Sequence, residues 1–374
     1  MIIMALDHTR DFFHFDAFQH DPLDVKTTSV FLYITRWVTH FCAPIFVFLA
    51  GTSIFLQGMR KSKSDLAVFL VKRGLWLIFI ETVLITFAWT FEFSFPSIVL
   101  QVIWAIGISM VLMAALIRLP FTAILITGFI IVFMHNILDY VESTHHGLLW
   151  DLVRNGNFAS HEILPGHKLV IIYPFVPWLG LMMLGYCFGK LYDQSINVFT
   201  RKKLLMQAGI ALVIFFIVLR LTNLYGNPHP WSLQNNFIFT ILSFLNLQKY
   251  PPSLLFLCIT IGPALIFLSV FENINTKLTR IISVYGSVPL FYYILHFYVL
   301  HVLCMILFVS RGHSLNEDTP DIFGIPFHYM IVGEGYSLKI VYLIWIGVVI
   351  LLYPFCKWFA VVKRKYQYWW LSYL

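Results

Sequence analysis

Ala43-Pro44-Ile45-Phe46-Val47-Phe48-Leu49-Ala50-Gly51-Thr52-Ser53-Ile54-Phe55-Leu56 runs without a charge into Gln57-Gly58-Met59-Arg60-Lys61. With its flanks it fills positions 40 to 58, close to the roughly 20 residues a helix needs to cross a bilayer core. The basic residues at its end mark a cytoplasmic exit. Further apolar runs lie near 67–90, 96–116, 120–137, 169–189, 204–222, 253–271, 286–309 and 338–360. They are too long, and too poor in period-two alternation, for a barrel. In lipid every backbone amide must be paired within its own segment, so these runs are helices. The sequence therefore predicts an all-α, polytopic integral membrane protein of about ten transmembrane helices in a single domain over 1–374, the first helix incomplete.

Composition points the same way. Of the 374 residues, 59% are hydrophobic and 11% charged, against about 25% charged in an ordinary globular chain. Cys42, Cys187, Cys258, Cys304 and Cys356 are scattered in or beside apolar runs without a close pair, so neither a metal site nor a disulfide framework is indicated.

The net charge of +7 is a topology signal and not a nucleic-acid footprint. Arg60, Lys61, Lys63, Lys72, Arg73, Arg118, Lys190, Arg201, Lys202, Lys203, Lys277, Arg280, Lys357, Lys363, Arg364 and Lys365 fall in alternate loops. That assigns those loops and the C-terminus to the cytoplasm, and the expected location is the cell (inner) membrane. The opposite side collects the acids, Asp7 to Asp24, Glu92, Asp139, Glu142, Asp151, Glu162, Glu317, Asp318, Asp321 and Glu334.

None of the 14 histidines falls in a cytoplasmic loop. His8, His14, His20, His40, His135, His145, His146, His161, His167, His229, His313 and His328 gather on the outer half, with His296 and His301 inside a span. Proton-transfer chemistry is expected at the outer mouth; simple tolerance of histidine at interfaces is the open alternative. Three long outer loops, about 138–167, 223–252 and 311–337, are read as short helices covering an outward-facing cavity.

The chain opens Met1-Ile2-Ile3-Met4-Ala5-Leu6 before Asp7-His8-Thr9-Arg10-Asp11. Six apolar residues cannot cross a bilayer, so either a first half-span lies upstream, the favoured reading, or residues 1–18 form an interfacial helix. On a helix Asp7 meets Arg10 and Asp11, and His8 meets Asp11. An imidazole oriented by a carboxylate beside an ion pair is what a general base needs, and the alternative is a helix end with solvated charges. His40 enters the next span and would face His8, or else serve as an interfacial histidine; Arg36 and Trp37 beside it read as interface anchors.

Tyr173-Pro174-Phe175-Val176-Pro177-Trp178 opens a span in which Gly185 and Gly189 form a small-xxx-small packing face. Its kinked start could line a pocket. His296 and His301, five positions apart, point to different faces and make no two-histidine metal face. Gln101-Val102-Ile103-Trp104 and Tyr250-Pro251-Pro252-Ser253 are polar or aromatic breaks whose plainest reading is anchoring. No phosphate loop, Gly-x-Ser-x-Gly elbow or Cys/His cluster is present.

Taken together, Ala5 to Phe13, Ala43 to Gly51, Leu100 to Ala105, Tyr173 to Gly180, Lys249 to Ser253 and Val288 to His296 resemble a bacterial membrane family. That family is related to the heparan-alpha-glucosaminide N-acetyltransferase catalytic domain. The resemblance implies a membrane acyltransferase that takes an acyl group, typically acetyl, from cytoplasmic acetyl-CoA and passes it to an acceptor such as a sugar or glycan on the far side. His8 matches the histidine that related enzymes place at the outer end of their first span. His8, Asp7, Asp11 and Arg10 are then the expected catalytic group, and His40, Trp104, Tyr173, Trp178 and His296 the expected substrate-binding set. No metal is expected; the expected partners are the lipid bilayer, acyl-CoA and a carbohydrate or other small acceptor, with homodimerisation left open. CoA phosphates would sit near Arg60, Lys72, Arg73 or Lys203. The alternatives are a transporter or exporter of a polar solute and a sensor or scaffold subunit.

Overall fold

The structure, a computed structural model, describes residues 1–140, 147–317, 321–366, 368 and 371. Glu142, His145, His146 and Asp318 lie outside the described residues. The chain is mostly helical: α1 Ile2–Phe13, α2 Val30–Thr39, α3 Cys42–Gly58, α4 Lys63–Phe79, α5 Thr86–Thr90, α6 Val102–Leu116, α7 Phe121–Met134 and α8 Leu148–Val153 make its first part. Then follow α9 Phe175–Phe188, α10 Val198–Thr222, α11 Phe237–Leu245, α12 Leu254–Phe271, α13 Lys277–Ser287, α14 Pro289–Ser310 and α15 Leu338–Lys365. Among the described residues six stretches are long and apolar enough to cross a membrane by length and composition: Val30–Gly58, Phe121–Asp139, Val198–Thr222, Leu254–Phe271, Pro289–Ser310 and Leu338–Lys365.

Helix starts follow from local capping. Ser62, Asn197 and Ser253 each accept a hydrogen bond from the backbone N–H three residues on, which satisfies one of the amides that a first helical turn leaves open. α4 and α5 form one continuous helical stretch joined by a π-helical turn, Ile80–Ile85, after which the Thr86 hydroxyl donates to the Glu81 carbonyl at 3.0 Å.

Two parts of the expected all-α fold are strands instead. β1 Ser97–Leu100 pairs in parallel with β3 His167–Ile171, which pairs antiparallel with β2 Ala159–Leu164; β4 Asp321–Ile322 and β5 Ile325–Pro326 form a second small ribbon. The runs expected to begin spans at 96 and 169 thus open as β1 and β3. Short apolar runs do not reveal whether they are strand or helix by periodicity, and Pro174, itself extended as the N-cap, disfavours a helical residue before it, so that α9 begins only at Phe175. The long loops accordingly hold strands as well as the short helices α8 and α11.

Packing bears out the small-residue face. A Cβ on Gly185 would collide with the Phe48 carbonyl of α3, and one on Gly189 would lie 2.5 Å from Phe55 Cβ. α3 and α9 thus approach at backbone distance, fastened by the Thr52 hydroxyl donating to the Gly185 carbonyl at 3.0 Å. α1 sits against α2, α14 and α15, which fixes where its polar face opens.

Candidate active site

α1 carries Asp7, His8, Arg10 and Asp11 on slightly more than one turn, and its neighbours sort them. Asp7 turns toward α2, where its Oδ2 accepts from Arg36 Nη1; its Oδ1 lies 3.2 Å from Arg10 Nη2, and Lys249 Nζ lies 4.0 Å from Oδ2. Arg10 Nη2 also donates to Asp11 Oδ1. The expected pairing of Asp7 with Arg10 is present, and it is buried: Asp7 is 7% and Arg10 5% exposed. Solvated charges at a helix end are excluded by those values.

His8 turns the other way. Its Nδ1 lies 2.7 Å from Nε2 of His296 on α14, with the two rings stacked at 5.0 Å, so the expected carboxylate partner is replaced by a second imidazole. The cause is competition, because Arg10 and Arg36 engage both carboxylates of α1. Trp89, Tyr293 and Phe297 enclose the His8 ring at 5.8, 6.2 and 4.2 Å. His296 Nδ1 faces its own i−4 carbonyl, Tyr292 O, at 3.0 Å. A carbonyl can only accept, so Nδ1 of His296 carries the proton and, in the neutral ring, Nε2 holds the lone pair. His8 Nδ1 must then donate to it, which leaves the His8 lone pair on Nε2.

His8 lines a cavity of about 850 Å³, together with Asp7, Arg10, Asp11, Arg36 and Lys249. All three long loops help to close it, through Asn157 and Phe158, through His229 and Asn246 to Tyr250, and through Phe323, Ile325 and Phe327. One buried cation holds part of that cover: Arg220 on α10 donates to the carbonyls of Phe244, His229, Ser243 and Asn246 at 2.9, 2.8, 3.2 and 2.9 Å. It thereby fixes the end of α11 and the strand of chain that leads to Lys249.

The other expected binding residues divide. Tyr173 and His40 line the cavity. The His40 ring meets Phe256 edge-on at 5.2 Å rather than His8, and its Nε2 is buried with no hydrogen-bond partner among the described residues. Trp178 is fully buried behind Tyr173 at 5.3 Å, and Trp104 gives its backbone N–H to Glu81 Oε2 at 3.0 Å; neither is among the lining residues. His296 stands one layer back, behind His8. His301 points elsewhere, toward the carbonyls of Ala88 and His328.

Arg36 and Lys249 belong to the site although sequence reading took Arg36 and the stretch after Lys249 as anchors. A signal for them existed: both are basic residues on the acid-rich side of a chain most of whose cations gather opposite, and an ionisable group at a span edge is a functional suspect. Glu81 carried the same signal, as a lone acid inside the run 67–90, and was passed over; Trp89 and Tyr293 carried none, since an aromatic in an apolar run reads as packing.

Long apolar helices around a buried, ion-paired, histidine-bearing cavity define a multi-pass membrane protein. The family model described as heparan-alpha-glucosaminide N-acetyltransferase, catalytic, matches residues 1–219, more than half of the chain, and the chain belongs to that family. Membership points to membrane acetyltransferase activity. No match to a curated protein or to a solved structure was found.

Proposed function

We propose that the protein is an acetyltransferase that moves an acetyl group from cytoplasmic acetyl-CoA to a sugar or other small acceptor held in the cavity on the far side of the inner membrane. The observation that carries this reading is the relay Tyr292 carbonyl, His296, His8, which leaves a lone pair on Nε2 of a residue lining the cavity. In the reaction the acceptor nitrogen or oxygen attacks the thioester carbonyl carbon while His8 Nε2 takes its proton. The C–S bond then breaks, and the imidazolium returns that proton to the departing sulfur, giving acetylated acceptor and CoA. Base catalysis of this kind contributes about 10² to 10⁴-fold, and positioning of thioester and acceptor supplies the rest. Asp7, Arg10 and Asp11 set the charge around the base, while His40 and Tyr173 line the acceptor's space.

On this reading the six long apolar stretches, the α4–α5 helix, α6 and α9, together with α1 as the end of an incomplete first span, amount to about ten transmembrane helices, with the basic C-terminal end of α15 in the cytoplasm. Arg60, Lys72, Arg73 and Lys203 then supply positive charge for the CoA phosphates. The test is transfer of radiolabel from acetyl-CoA to a glycan mixture by full-length protein in proteoliposomes, with His8→Ala alongside. Label in an acceptor that disappears with His8→Ala supports the reading. Absence of label from folded wild type, with solute flux that needs no CoA, replaces it with the exporter.

A further inference from the structure

Three side chains of the cavity wall form a hydrogen-bonded chain. Lys249 bonds the phenol of Tyr250, and Tyr250 bonds the phenol of Tyr173, the two rings meeting edge-on at 5.2 Å. All three line the cavity. Lys249 is itself ion-paired with Asp7 at 4.0 Å, so what it brings to Tyr250 is a directed bond and not surplus charge. Phe158 meets the Tyr250 ring edge-on at 5.9 Å, and the Gln248 side-chain amide donates to the Tyr250 carbonyl at 3.0 Å. The ring is thereby fixed before any substrate arrives.

An ammonium only donates, so the Tyr250 oxygen accepts from Lys249. The two phenols carry two hydroxyl hydrogens between them, and one lies in the bond that joins them. The other has no acceptor among the described residues. Tyr173 is buried and Tyr250 half-buried, so the open hydroxyl is that of Tyr250. Burial raises this phenol, but Lys249 and Arg36 outweigh it and hold Tyr250 below its ordinary value. A phenol polarised in this way is a better hydrogen-bond donor. Tyr293 links it to the base: its ring meets His8 at 6.2 Å, and it lies within electrostatic reach of Tyr250.

We infer that the Tyr250 hydroxyl is the oxyanion donor of the acetyl transfer, a further catalytic residue that faces the thioester oxygen while His8 works on the acceptor. The inference rests on the reading of this cavity as the site of transfer and adds a residue to it. Attack on the thioester carbonyl carbon moves the C=O π pair onto oxygen. Tyr250 donates a hydrogen bond to that oxygen and keeps its proton; when the C–S bond breaks, the carbonyl re-forms and the bond weakens again. Because the charge on oxygen develops only during the reaction, the bond acts on turnover more than on binding.

Initial rates of label transfer by full-length protein in proteoliposomes are measured over a range of acetyl-CoA, at a fixed glycan mixture, across neutral and alkaline pH. The proteins are wild type, Tyr250→Phe, Tyr173→Phe and one carrying a difluorotyrosine in place of Tyr250. Tyr250→Phe is expected to lower kcat about 10²- to 10³-fold with little change in KM, and Tyr173→Phe to lower it less. The wild-type rate falls as rising pH ionises the phenol, because a phenolate has no hydrogen to give. The more acidic difluorotyrosine moves that fall to lower pH, and Tyr250→Phe abolishes it. Wild-type kcat in Tyr250→Phe, a loss confined to KM, a larger loss in Tyr173→Phe, or a fall that difluorotyrosine leaves in place overturns the role. If Tyr250→Phe does not fold, the difluorotyrosine protein, which keeps the hydroxyl, still decides through its pH shift. Absence of transfer by folded wild type defeats the transfer reading and this role together, whereas transfer indifferent to Tyr250 defeats the role alone.

Discussion

His8 Nδ1 and His296 Nε2 are 2.7 Å apart, and the carbonyl of Tyr292 behind them fixes which of the two rings donates. The second ring does for His8 what a carboxylate does in many general bases, holding one tautomer, but without adding a negative charge.

Replacing His296 by alanine removes that hold while leaving His8 in place. The loss of a buried partner is worth about 1–3 kcal/mol, so acetyl transfer should fall roughly 10- to 100-fold, less than for His8→Ala. Initial rates of label transfer for the two variants check the order, and a His296→Ala enzyme at wild-type rate would show that the stacked pair is mere packing.

Asp7→Asn leaves Arg10, Arg36 and Lys249 facing a neutral amide. Breaking a buried ion pair costs about 3–5 kcal/mol, and these side chains are only 6 to 14% exposed. Thermal unfolding in detergent should therefore shift down strongly for Asp7→Asn, and recover in part in the double variant Asp7→Asn with Arg36→Met. A single variant with unchanged midpoint would contradict the account of the cluster.

Arg220→Ala frees three carbonyls at the end of α11 and that of His229 in the loop before it. Hydrogen bonds to a charged group contribute about 1.5–3 kcal/mol, so residues 226–250 should lose amide-exchange protection while α12 keeps its own. Uniform loss across the protein, or none, would mean that Arg220 does not act locally on the cavity's cover.

On the loop side, Glu92 is held down to about 2 by the backbone N–H of Ser94 first and by His328 second, with Glu92 Oε2 and His328 Nε2 2.9 Å apart. A depressed carboxylate stabilises the fold above its ordinary value of 4.5 and loses that contribution as pH falls from there toward 2. Protection of the chain around His328 should decline over that window in wild type and be flat in Glu92→Gln. The same decline in both would place the acid-sensitive group elsewhere.

The fold was legible where lipid leaves one solution. Runs such as 40–58, 204–222 and 338–360 are helices because no other backbone arrangement satisfies its amides there, and α3, α10 and α15 cover them. It was illegible at 97–100 and 167–171, where the three apolar residues Ile98 to Leu100 and Leu169 to Ile171 are compatible with either structure and only the pairing of β1 with β3 decides. At the site, Asp7 and Arg10 could be paired from their spacing alone. The partner of His8 could not, since His296 lies on a helix almost the whole chain away and only tertiary packing brings the rings together. Nor could the competition that hands Asp7 to Arg36, which depends on how α2 folds back over α1.

The π-helical turn Ile80–Ile85 sets a phase. A turn closed from residue i to i+5 holds one residue more than an α turn, so everything after it is rotated by about 100° relative to an unbroken helix. Glu81, at the start of that turn, grips the N–H of Trp104, while Trp89 beyond it presents its ring to His8. Folded as an unbroken α-helix of the same length, the chain would carry Trp89 about 100° off the His8 wall, whereas deleting one residue inside the turn would close it as an α turn and keep Trp89 in place; the wide turn works as an angular spacer.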